Sequence, residues 1–350
     1  MSFSKRLSRH VAKGAAIRTG LELVALSGAA QLFPSVAERG LIFTLHHVRP
    51  RGSARFRPNA LLEITPEFLA ETIAFCRQRG LTPVPLAALP GLLADTADTR
   101  RFVCFTLDDG YRDNAEFAQP VFRRFEVPFT VFVTGGFIER TRTIWWETVE
   151  AVLREVPSFA FDFGEGVEQV RTAGMLAKFD AFQRLCRFVA TCDEDEAVAR
   201  IDRLAVAHGI DPVGIVDRLV MAEPELRRLV QDPLATLGAH TLNHLNLKRL
   251  PPERLAAEIA GSAAKVVELT GQPPVAFCYP YGGKAAAGER EYAAAAAHGF
   301  RVAVTTKPGV LSEKRLRAPT ALPRVSLNGL YQKRRYVAAL ASGIPFKLLG

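Results

Sequence analysis

The sequence predicts an α/β fold in which parallel strands, forming an open sheet or a closed barrel, are covered by helices. Short apolar runs typical of buried strands alternate with longer segments whose apolar residues recur at helical spacing. Polar residues directly follow several of these runs, as they do at the functional edge of parallel sheets. The length of 350 residues, with 48% hydrophobic and 23% charged residues, is typical of a globular protein.

The first 40 residues are predicted to form an N-terminal amphipathic helical segment that packs on the body or touches a membrane surface. Its apolar residues recur at roughly helical spacing, at Leu7, Val11, Ile17, Leu21 and Val24. Basic residues before the apolar stretch 21–33 also resemble a cleaved signal peptide, although Glu22 and Gln31 interrupt that stretch. Both interpretations stay open.

The first strand is predicted at 41–45, and it ends in His46-His47. Thr65 then caps a helix that begins at Pro66 and stops at Gly80, because Thr accepts from a backbone N–H and Pro fits the first helical position. A short strand at 81–84 and a helix at 86–93 precede the apolar strand 102–107. That strand ends in two adjacent carboxylates and a glycine, Asp108-Asp109-Gly110.

The pattern continues with a helix at 113–125 and a strand at 127–133. The charged segment at about 141–232, with helical stretches at 177–191 and 194–208 and a hairpin at 159–170, indicates a helical insertion. Strands at 235–239, 275–278 and 301–305, with helices at 252–270 and 285–298, then complete one domain spanning 41–320. Residues 321–350 are predicted to be a basic C-terminal tail.

Composition narrows the function. The net charge of +9 is spread along the chain without a basic stripe interleaved with aromatic residues, which argues against nucleic-acid binding. Five cysteines without a C-x-x-C pair indicate a reduced, cytoplasmic setting. No apolar run reaches the roughly 18 residues that a membrane-spanning helix needs.

Four segments place polar residues at a predicted strand end, and four of the seven histidines lie there. Two adjacent carboxylates at a buried strand end repel each other unless a cation or a shared proton compensates them. His240 and His244, four residues apart, share a face if the segment turns helically, and both could then reach one metal ion. Taken together, these segments indicate a catalytic site with two histidines and one carboxylate as metal ligands.

Three segments resemble the motifs of polysaccharide deacetylases, the NodB-homology or carbohydrate esterase family 4 enzymes. They are Phe105-Thr106-Leu107-Asp108-Asp109-Gly110, His240-Thr241-Leu242-Asn243-His244 and Phe277-Cys278-Tyr279-Pro280-Tyr281-Gly282. The resemblance covers roughly 41–306. It implies a distorted (β/α)7-type TIM-like barrel with a helical insertion. It also implies a divalent metal, most often Zn²⁺, and the removal of N-acetyl groups from amino-sugar oligosaccharides or polymers, of the chitooligosaccharide or poly-N-acetylglucosamine type.

The resemblance assigns a role to each matching residue. Asp108 corresponds to the general base, and Asp109, His240 and His244 correspond to the metal ligands. Tyr281 corresponds to the residue whose backbone N–H helps to hold the oxyanion.

Two departures from the family pattern accompany this match. The third motif usually carries an Arg two positions before the Tyr, and this Arg braces the base. Tyr279 occupies that position here. The usual late Leu-x-His acid is also missing. His46 resembles instead the acid of a circularly permuted branch, the poly-N-acetylglucosamine deacetylases. His47 is its competitor, and alternation along a strand lets only one of them face the rim.

Tyr279, His47 and Trp145 are candidate substrate-binding residues, although Trp145-Trp146 is equally consistent with packing between insertion and barrel. The expected partner is an N-acetylated oligo- or polysaccharide, with a cytoplasmic location and peripheral membrane contact. Alternatives are an O-acetyl esterase, another metal-dependent amidase, or a non-catalytic carbohydrate-binding relative.

Overall fold

A computed structural model describes residues 18–26, 39–312 and 317–348 of the chain. Within them, the strands are β1 Gly40–Leu45, β2 His47–Val48, β3 Glu63–Ile64, β4 Leu81–Pro83, β5 Arg101–Leu107, β6 Phe129–Val133, β7 Ser158–Asp162, β8 Val167–Arg171, β9 Ala235–Ala239, β10 Ala276–Cys278, β11 Val302–Pro308 and β12 Leu322–Ser326.

The helices are α1 Pro66–Gln78, α2 Leu89–Ala94, α3 Gln119–Arg124, α4 Gly135–Ile138, α5 Trp145–Glu155, α6 Met175–Thr191, α7 Glu194–Ala207, α8 Pro212–Leu219, α9 Glu223–Leu229, α10 Pro252–Thr270, α11 Glu289–Ala297, α12 Arg334–Ala341 and α13 Ile344–Leu348. Residues 18–26 form a further helix, called here the N-terminal helix.

Seven parallel strands close into a barrel, which confirms the predicted fold. Their order is β1-β12-β11-β10-β9-β6-β5, and β5 pairs with β1 to close the ring. The short β4 lies beside the first half of β5, on the same side as β6, and does not belong to the ring. Strand–helix alternation alone left open whether the sheet is open or closed, the family resemblance implied a barrel, and the six-residue register between β1 and β5 shows closure.

Alternation along the strands separates two apolar layers. Inward-facing side chains fill the barrel, among them Ile42, Cys104, Phe132, Val304 and Leu322. Outward-facing side chains of the same strands pack under the helices, among them Phe43, Phe105, Val131, Ala303 and Val325. Because side chains on a strand alternate between faces, the residue that follows each strand has a predictable side.

The insertion has its own apolar core. Helices α5, α6 and α7 pack on the antiparallel hairpin β7–β8, whose register pairs Phe159 with Val170, as the sequence predicted for 159–170. Tyr111 and Phe137, from the barrel side, belong to the same cluster. The insertion is therefore anchored beside the carboxyl ends of the barrel strands.

The barrel extends past the boundary at 320 that the sequence analysis assigned. Strand β12, which lies between β11 and β1 in the ring, falls within the segment predicted to be a basic tail. Its Pro323 and Arg324 interrupt the apolar pattern, so the sequence does not resemble a central strand. Helix α12 follows it, and Tyr336 and Ala339 pack against Leu21 and Val24 of the N-terminal helix. Of the predicted segment 1–40, only residues 18–26 and 39–40 lie within the described residues.

Two local differences have simple causes. The predicted helix 113–125 begins as a wide π turn at Asn114–Ala118, next to Pro120, which has no N–H to donate. The segment from His240 to His244 is a loop, not a helical turn, with positive φ at Thr241 and His244. Among the described residues, no helix is long and apolar enough to cross a membrane.

Candidate active site

The candidate site lies at the carboxyl ends of the barrel strands, above the apolar interior. Asp108 follows β5 on the inward face, in line with Phe102 and Cys104 of the interior cluster. Its neighbour Asp109 adopts φ of 73°, which departs from strand geometry and turns the second carboxylate toward the same rim. Gly110, with φ of 68°, continues the turn in a conformation that suits glycine.

Arg324 from β12 braces Asp108 through two parallel hydrogen bonds. Nη1 donates to Oδ1 at 2.7 Å and Nη2 donates to Oδ2 at 2.6 Å. Nε of Arg324 donates to the Thr305 carbonyl at 2.9 Å, and Nη1 also donates to Oγ1 of Thr106 at 3.0 Å. Both charged side chains are almost fully buried, so this bidentate pair fixes the orientation of the carboxylate.

The ion pair also fixes the charge state of Asp108. Burial by itself would raise the pKa of this carboxyl, but the adjacent Arg324 guanidinium outweighs burial and holds the pKa well below its usual range. Asp108 is therefore ionised at neutral pH, and its Oδ2 lies 3.9 Å from Nε2 of His46.

Asp109, His240 and His244 form a second cluster in which each residue is buried. Oδ1 of Asp109 lies 3.5 Å from Nε2 of His240 and 3.4 Å from Nε2 of His244. This oxygen is buried and has no hydrogen-bond partner among the described residues. A buried carboxylate oxygen facing two imidazole nitrogens is a strong candidate for a cation ligand.

The protonation of the two histidines fits such a cation. Nδ1 of His240 lies 2.7 Å from the Cys278 carbonyl, to which it donates. Burial alone would lower the pKa of His240, but Cys278 and Asp109 hold it well above its usual value, so Nε2 carries a proton toward Asp109 that a bound cation would replace. Burial lowers the pKa of His244 to about 3, so this imidazole is neutral and can also donate a lone pair. The three residues can therefore hold a divalent metal ion.

The structure separates the two adjacent histidines after β1. His46 continues the inward face of Ile42 and Thr44 and points toward Asp108, and its side chain is 22% exposed. Burial lowers the pKa of His46. His47 points away and is fully buried, with its ring stacked on Tyr111 at 3.6 Å between centroids. His47 is thus placed neither as an acid at Asp108 nor as a substrate contact, contrary to its substrate-binding assignment.

Asp113 and Asn114 hold the backbone on both sides of His46. Asn114 Nδ2 donates to the His46 carbonyl at 2.7 Å, and the Val48 N–H donates to Oδ1 of Asp113 at 3.1 Å. Oδ2 of Asp113 lies 2.5 Å from Nδ1 of His47. Burial alone would lower the pKa of His47, but Asp113 raises it to about 9. The segment that follows the two carboxylates therefore also positions the histidine opposite them.

Tyr281 links the barrel rim to the insertion. Its φ is 60°, and among the described residues no acceptor pairs with its backbone N–H. Its hydroxyl donates to Oε1 of Glu194 at 2.6 Å and accepts from Nε1 of Trp145 at 3.0 Å. Its ring lies edge-on to His244, with centroids 5.0 Å apart. Trp145, Tyr281 and Glu194 also line a cavity of about 340 Å³ beside the metal-ligand candidates.

Tyr279 does not face the site, so its substrate-binding assignment is not supported. It is fully buried in the outer layer, and its hydroxyl donates to the Thr320 carbonyl at 2.8 Å. The residue of β10 that faces Asp108 is Cys278, whose Sγ lies 3.5 Å from Oδ2 of Asp108 and 3.1 Å from Nη2 of Arg324. The position on β10 from which a side chain could brace Asp108 is therefore 278, one residue before Tyr279, which the motif comparison indicated.

Sequence reasoning missed Arg324, Asp113, Asn114 and Glu194. Arg324 lies 216 residues from Asp108 along the chain, in a segment without a recognised strand pattern. Asp113 and Asn114 could have been noticed as polar residues just after the Asp-Asp-Gly turn. In sequence they resemble an ordinary helix start, and only their burial in the structure distinguishes them from one.

A sequence model of the polysaccharide deacetylase family matches residues 95–174 and 200–303, more than half of the chain. No curated protein sequence matches. Solved structures that share the fold include three with TM-scores just above one half. IcaB from Ammonifex degensii is 18% identical, with a TM-score of 0.54, and the match covers 87% of this chain and 97% of that one.

The Streptococcus pyogenes deacetylase PplD, solved in complex with acetate, is 14% identical, with a TM-score of 0.52 and coverage of 83% and 92%. BC0361, a polysaccharide deacetylase from Bacillus cereus, is 13% identical, with a TM-score of 0.51 and coverage of 86% and 68%. At these identities the structural matches establish the fold, and the family assignment rests on the sequence model.

Proposed function

The chain belongs to the polysaccharide deacetylase family, and we propose that it hydrolyses N-acetyl groups of amino-sugar oligosaccharides or polymers with a divalent metal ion, Zn²⁺ in the first instance. As a member of this family it is a hydrolase of carbon–nitrogen bonds other than peptide bonds. One observation carries the proposal. Two adjacent buried carboxylates have different partners, Arg324 for Asp108 and two imidazoles for Asp109.

The proposed metal ligands are Asp109, His240 and His244. Two imidazole nitrogens and one carboxylate oxygen form a donor set that suits Zn²⁺ and leaves a coordination position for substrate or water. A divalent cation there would polarise the acetamide carbonyl and lower the pKa of a water molecule toward neutrality.

The other side chains supply the proton transfers. Asp108, ionised and held by Arg324, accepts the proton of the attacking water. The Tyr281 N–H donates to the developing oxyanion, an interaction typically worth about 3 kcal/mol. The departing amine is a poor leaving group until it is protonated, and His46, whose Nε2 lies 3.9 Å from Oδ2 of Asp108, supplies that proton.

The cavity beside Tyr281 is the proposed contact for a sugar ring. Trp145 and Tyr281 present aromatic edges and faces there, while Glu194 and Arg249 add hydrogen-bonding groups. Aromatic rings with a few convergent polar groups are typical of sites that bind organic ligands. Trp145 is therefore retained as a substrate-binding residue.

The decisive experiment compares Asp108→Asn with His240→Ala. Asp108→Asn should bind Zn²⁺ normally and lose acetate release from N-acetylglucosamine oligomers, because only the base is removed. His240→Ala should lose both. Full activity of Asp108→Asn contradicts the base assignment, and metal-independent acetate release contradicts the mechanism.

Asp232→Asn is the matched control. Asp232 is a buried aspartate paired with Arg123 at 2.6 Å, away from the rim, so its loss should leave the rate per folded molecule unchanged. Acetate release from O-acetylated but not N-acetylated oligomers would favour an esterase. Sugar binding without acetate release would favour a non-catalytic relative.

We also propose a cytoplasmic location with contact to a membrane surface. All five cysteines are free, as is usual in a reducing compartment. The N-terminal helix, which begins with Arg18, exposes Leu23 and Leu26, at 65% and 79%. Recovery of the protein from a periplasmic fraction would contradict this location.

A further inference from the structure

A basic pocket of about 320 Å³ opens on the rim of the barrel. Its lining includes Arg18, Arg51, Arg57, Lys333, Leu330 and the single carboxylate Glu63. Four cationic side chains around one carboxylate leave an excess of three positive charges in a concave space. None of these residues belongs to the machinery assigned to deacetylation.

The walls of the basic pocket come from the loops that follow two catalytic strands. One wall follows β1 and His46, and the Cα of Glu63 pairs with that of His47 across β3 and β2. The other wall, at 329–333, follows β12 and Arg324. Because β1 and β12 are neighbours in the ring, the basic pocket lies on the His46 side of the site.

The two walls are in close backbone contact. A Cβ on Gly329 would lie 2.0 Å from the Ala60 carbonyl oxygen and 2.2 Å from that of Glu63, so only glycine fits there. The Thr65 N–H donates to Oε1 of Gln332 at 2.9 Å. The shape of the basic pocket is therefore built into the fold.

The charges in the basic pocket are not internally balanced. Glu63 already accepts from Arg49 at 2.8 Å and from Arg57. Within the described part of the chain, Arg51 and Lys333 form no ion pair with an acidic side chain. Concentrated positive charge in a concavity attracts anions and is stabilised by them.

We propose that the basic pocket binds a phosphate or diphosphate group carried by the N-acetylated substrate or by a lipid next to it. The inference rests on the proposed deacetylase function for its choice of substrate. Three excess positive charges match a diphosphate better than a single carboxylate, and guanidinium groups bind phosphate oxygens through paired N–H donors.

The surroundings suggest a lipid as one carrier of that phosphate. Leu330, in the lining of the basic pocket, is 52% exposed, and the N-terminal helix that supplies Arg18 also exposes Leu23 and Leu26. Apolar side chains beside a cationic pocket suit the boundary between a phosphate headgroup and acyl chains. A soluble sugar phosphate presents the same phosphate chemistry without the acyl chains.

Direct binding of inorganic diphosphate, measured by calorimetry, tests the basic pocket without any catalytic step. The double variant Arg51→Glu, Lys333→Glu should weaken binding at least about tenfold, because two attractive charges become repulsive. The matched control Arg171→Glu changes an exposed arginine on β8, far from the basic pocket in the chain, and should bind as the unchanged protein does. Equal affinity of double variant and control overturns the proposal.

Activity then shows whether the phosphate belongs to the substrate. The unchanged protein should deacetylate an N-acetylglucosamine phosphate or diphosphate with a lower KM than a neutral oligomer, and the double variant should lose that difference while keeping its rate on the neutral oligomer. No acetate from any substrate counts against the proposed function, whereas diphosphate binding still decides the basic pocket.

Vesicles distinguish the two carriers. Displacement of diphosphate by phosphatidylglycerol vesicles, but not by phosphatidylcholine vesicles, assigns the pocket to a lipid phosphate. Preference for the sugar phosphate without vesicle binding assigns it to a soluble substrate. Diphosphate binding with neither effect contradicts a role in substrate or lipid capture.

Discussion

Replacement of Arg324 tests the brace on Asp108, which is the least expected part of the site. Arg324→Ala removes both hydrogen bonds, at 2.7 and 2.6 Å, and leaves a buried carboxylate without a cation. Breaking a buried ion pair from one side typically costs about 3–5 kcal/mol. Asp108 can respond instead by taking up a proton.

Protonation of Asp108 has a similar free-energy cost and also removes the base. At pH 7, protonating a carboxyl with the ordinary pKa of 3.8 costs about 4 kcal/mol. Either response leaves the site without an oriented, ionised Asp108, so kcat should fall about 10²–10⁴-fold, the usual contribution of a general base. Arg324→Lys keeps the charge but not the paired donors, and its rate should lie between the two.

The assay is acetate release at saturating Zn²⁺, with metal content measured in parallel. Metal content should stay the same because Asp109, His240 and His244 are untouched, and added guanidinium ion should partly restore the rate of Arg324→Ala. Arg227→Lys is the control, since Nε and Nη2 of Arg227 both contact Oε1 of Glu223 on the exterior, at 2.8 and 2.7 Å. If Arg324→Ala kept a rate within about twofold of that of the unchanged protein, the brace would be refuted, because the loss of a general base lowers the rate far more than twofold.

Two further predictions concern the segment that follows the carboxylates. Asn114→Ala removes the bond to the His46 carbonyl and should lower kcat about tenfold through misplacement of the acid, with KM and metal content unchanged; an unchanged kcat contradicts this positioning role. The raised pKa of His47 means that its stabilising contribution is fully present below pH 6.5 and is lost as the pH rises through about 9. The free energy of unfolding should therefore fall by at most about 3 kcal/mol over that range. Asp113→Asn should reduce this part of the pH dependence in denaturant titrations, with Glu147 left as the smaller contributor to the raised pKa. A slope that is unchanged in Asp113→Asn would exclude His47 as its cause.

The sequence was sufficient for six of the seven barrel strands and for the residues next to them. Apolar runs located β1, β5, β6 and β9, and the polar residues after them proved to share one rim. Alternation also predicted that only one of His46 and His47 faces that rim. These features are local, since they depend on the order of side chains along a single strand.

The missing parts depend on contacts between distant segments. Strand β12 carries Pro323 and Arg324, and a buried arginine within a barrel strand is stable only because Asp108 faces it. No local sequence pattern indicates that a distant carboxylate compensates the charge of a buried arginine. Tyr279 was assigned to the site from its motif position, but strand parity places Cys278 inward and Tyr279 in the outer core. The alternation of side chains between the two faces of a strand, which was used for β1, would have corrected this assignment if it had been applied to β10.

Cys278 and Arg324 together explain how the site can lack an arginine on β10. Strands β10, β11 and β12 are consecutive in the ring, so inward side chains at 278 and 324 converge on the same space above the interior. The small thiol leaves that space open, and the Arg324 guanidinium fills it, in contact with both Sγ and the carboxylate. A closed barrel makes this possible, because β12 borders β1 and β1 borders β5, so the arginine of β12 reaches the carboxylate that follows β5. The brace thus depends on which side chains face the rim and not on their order along the chain.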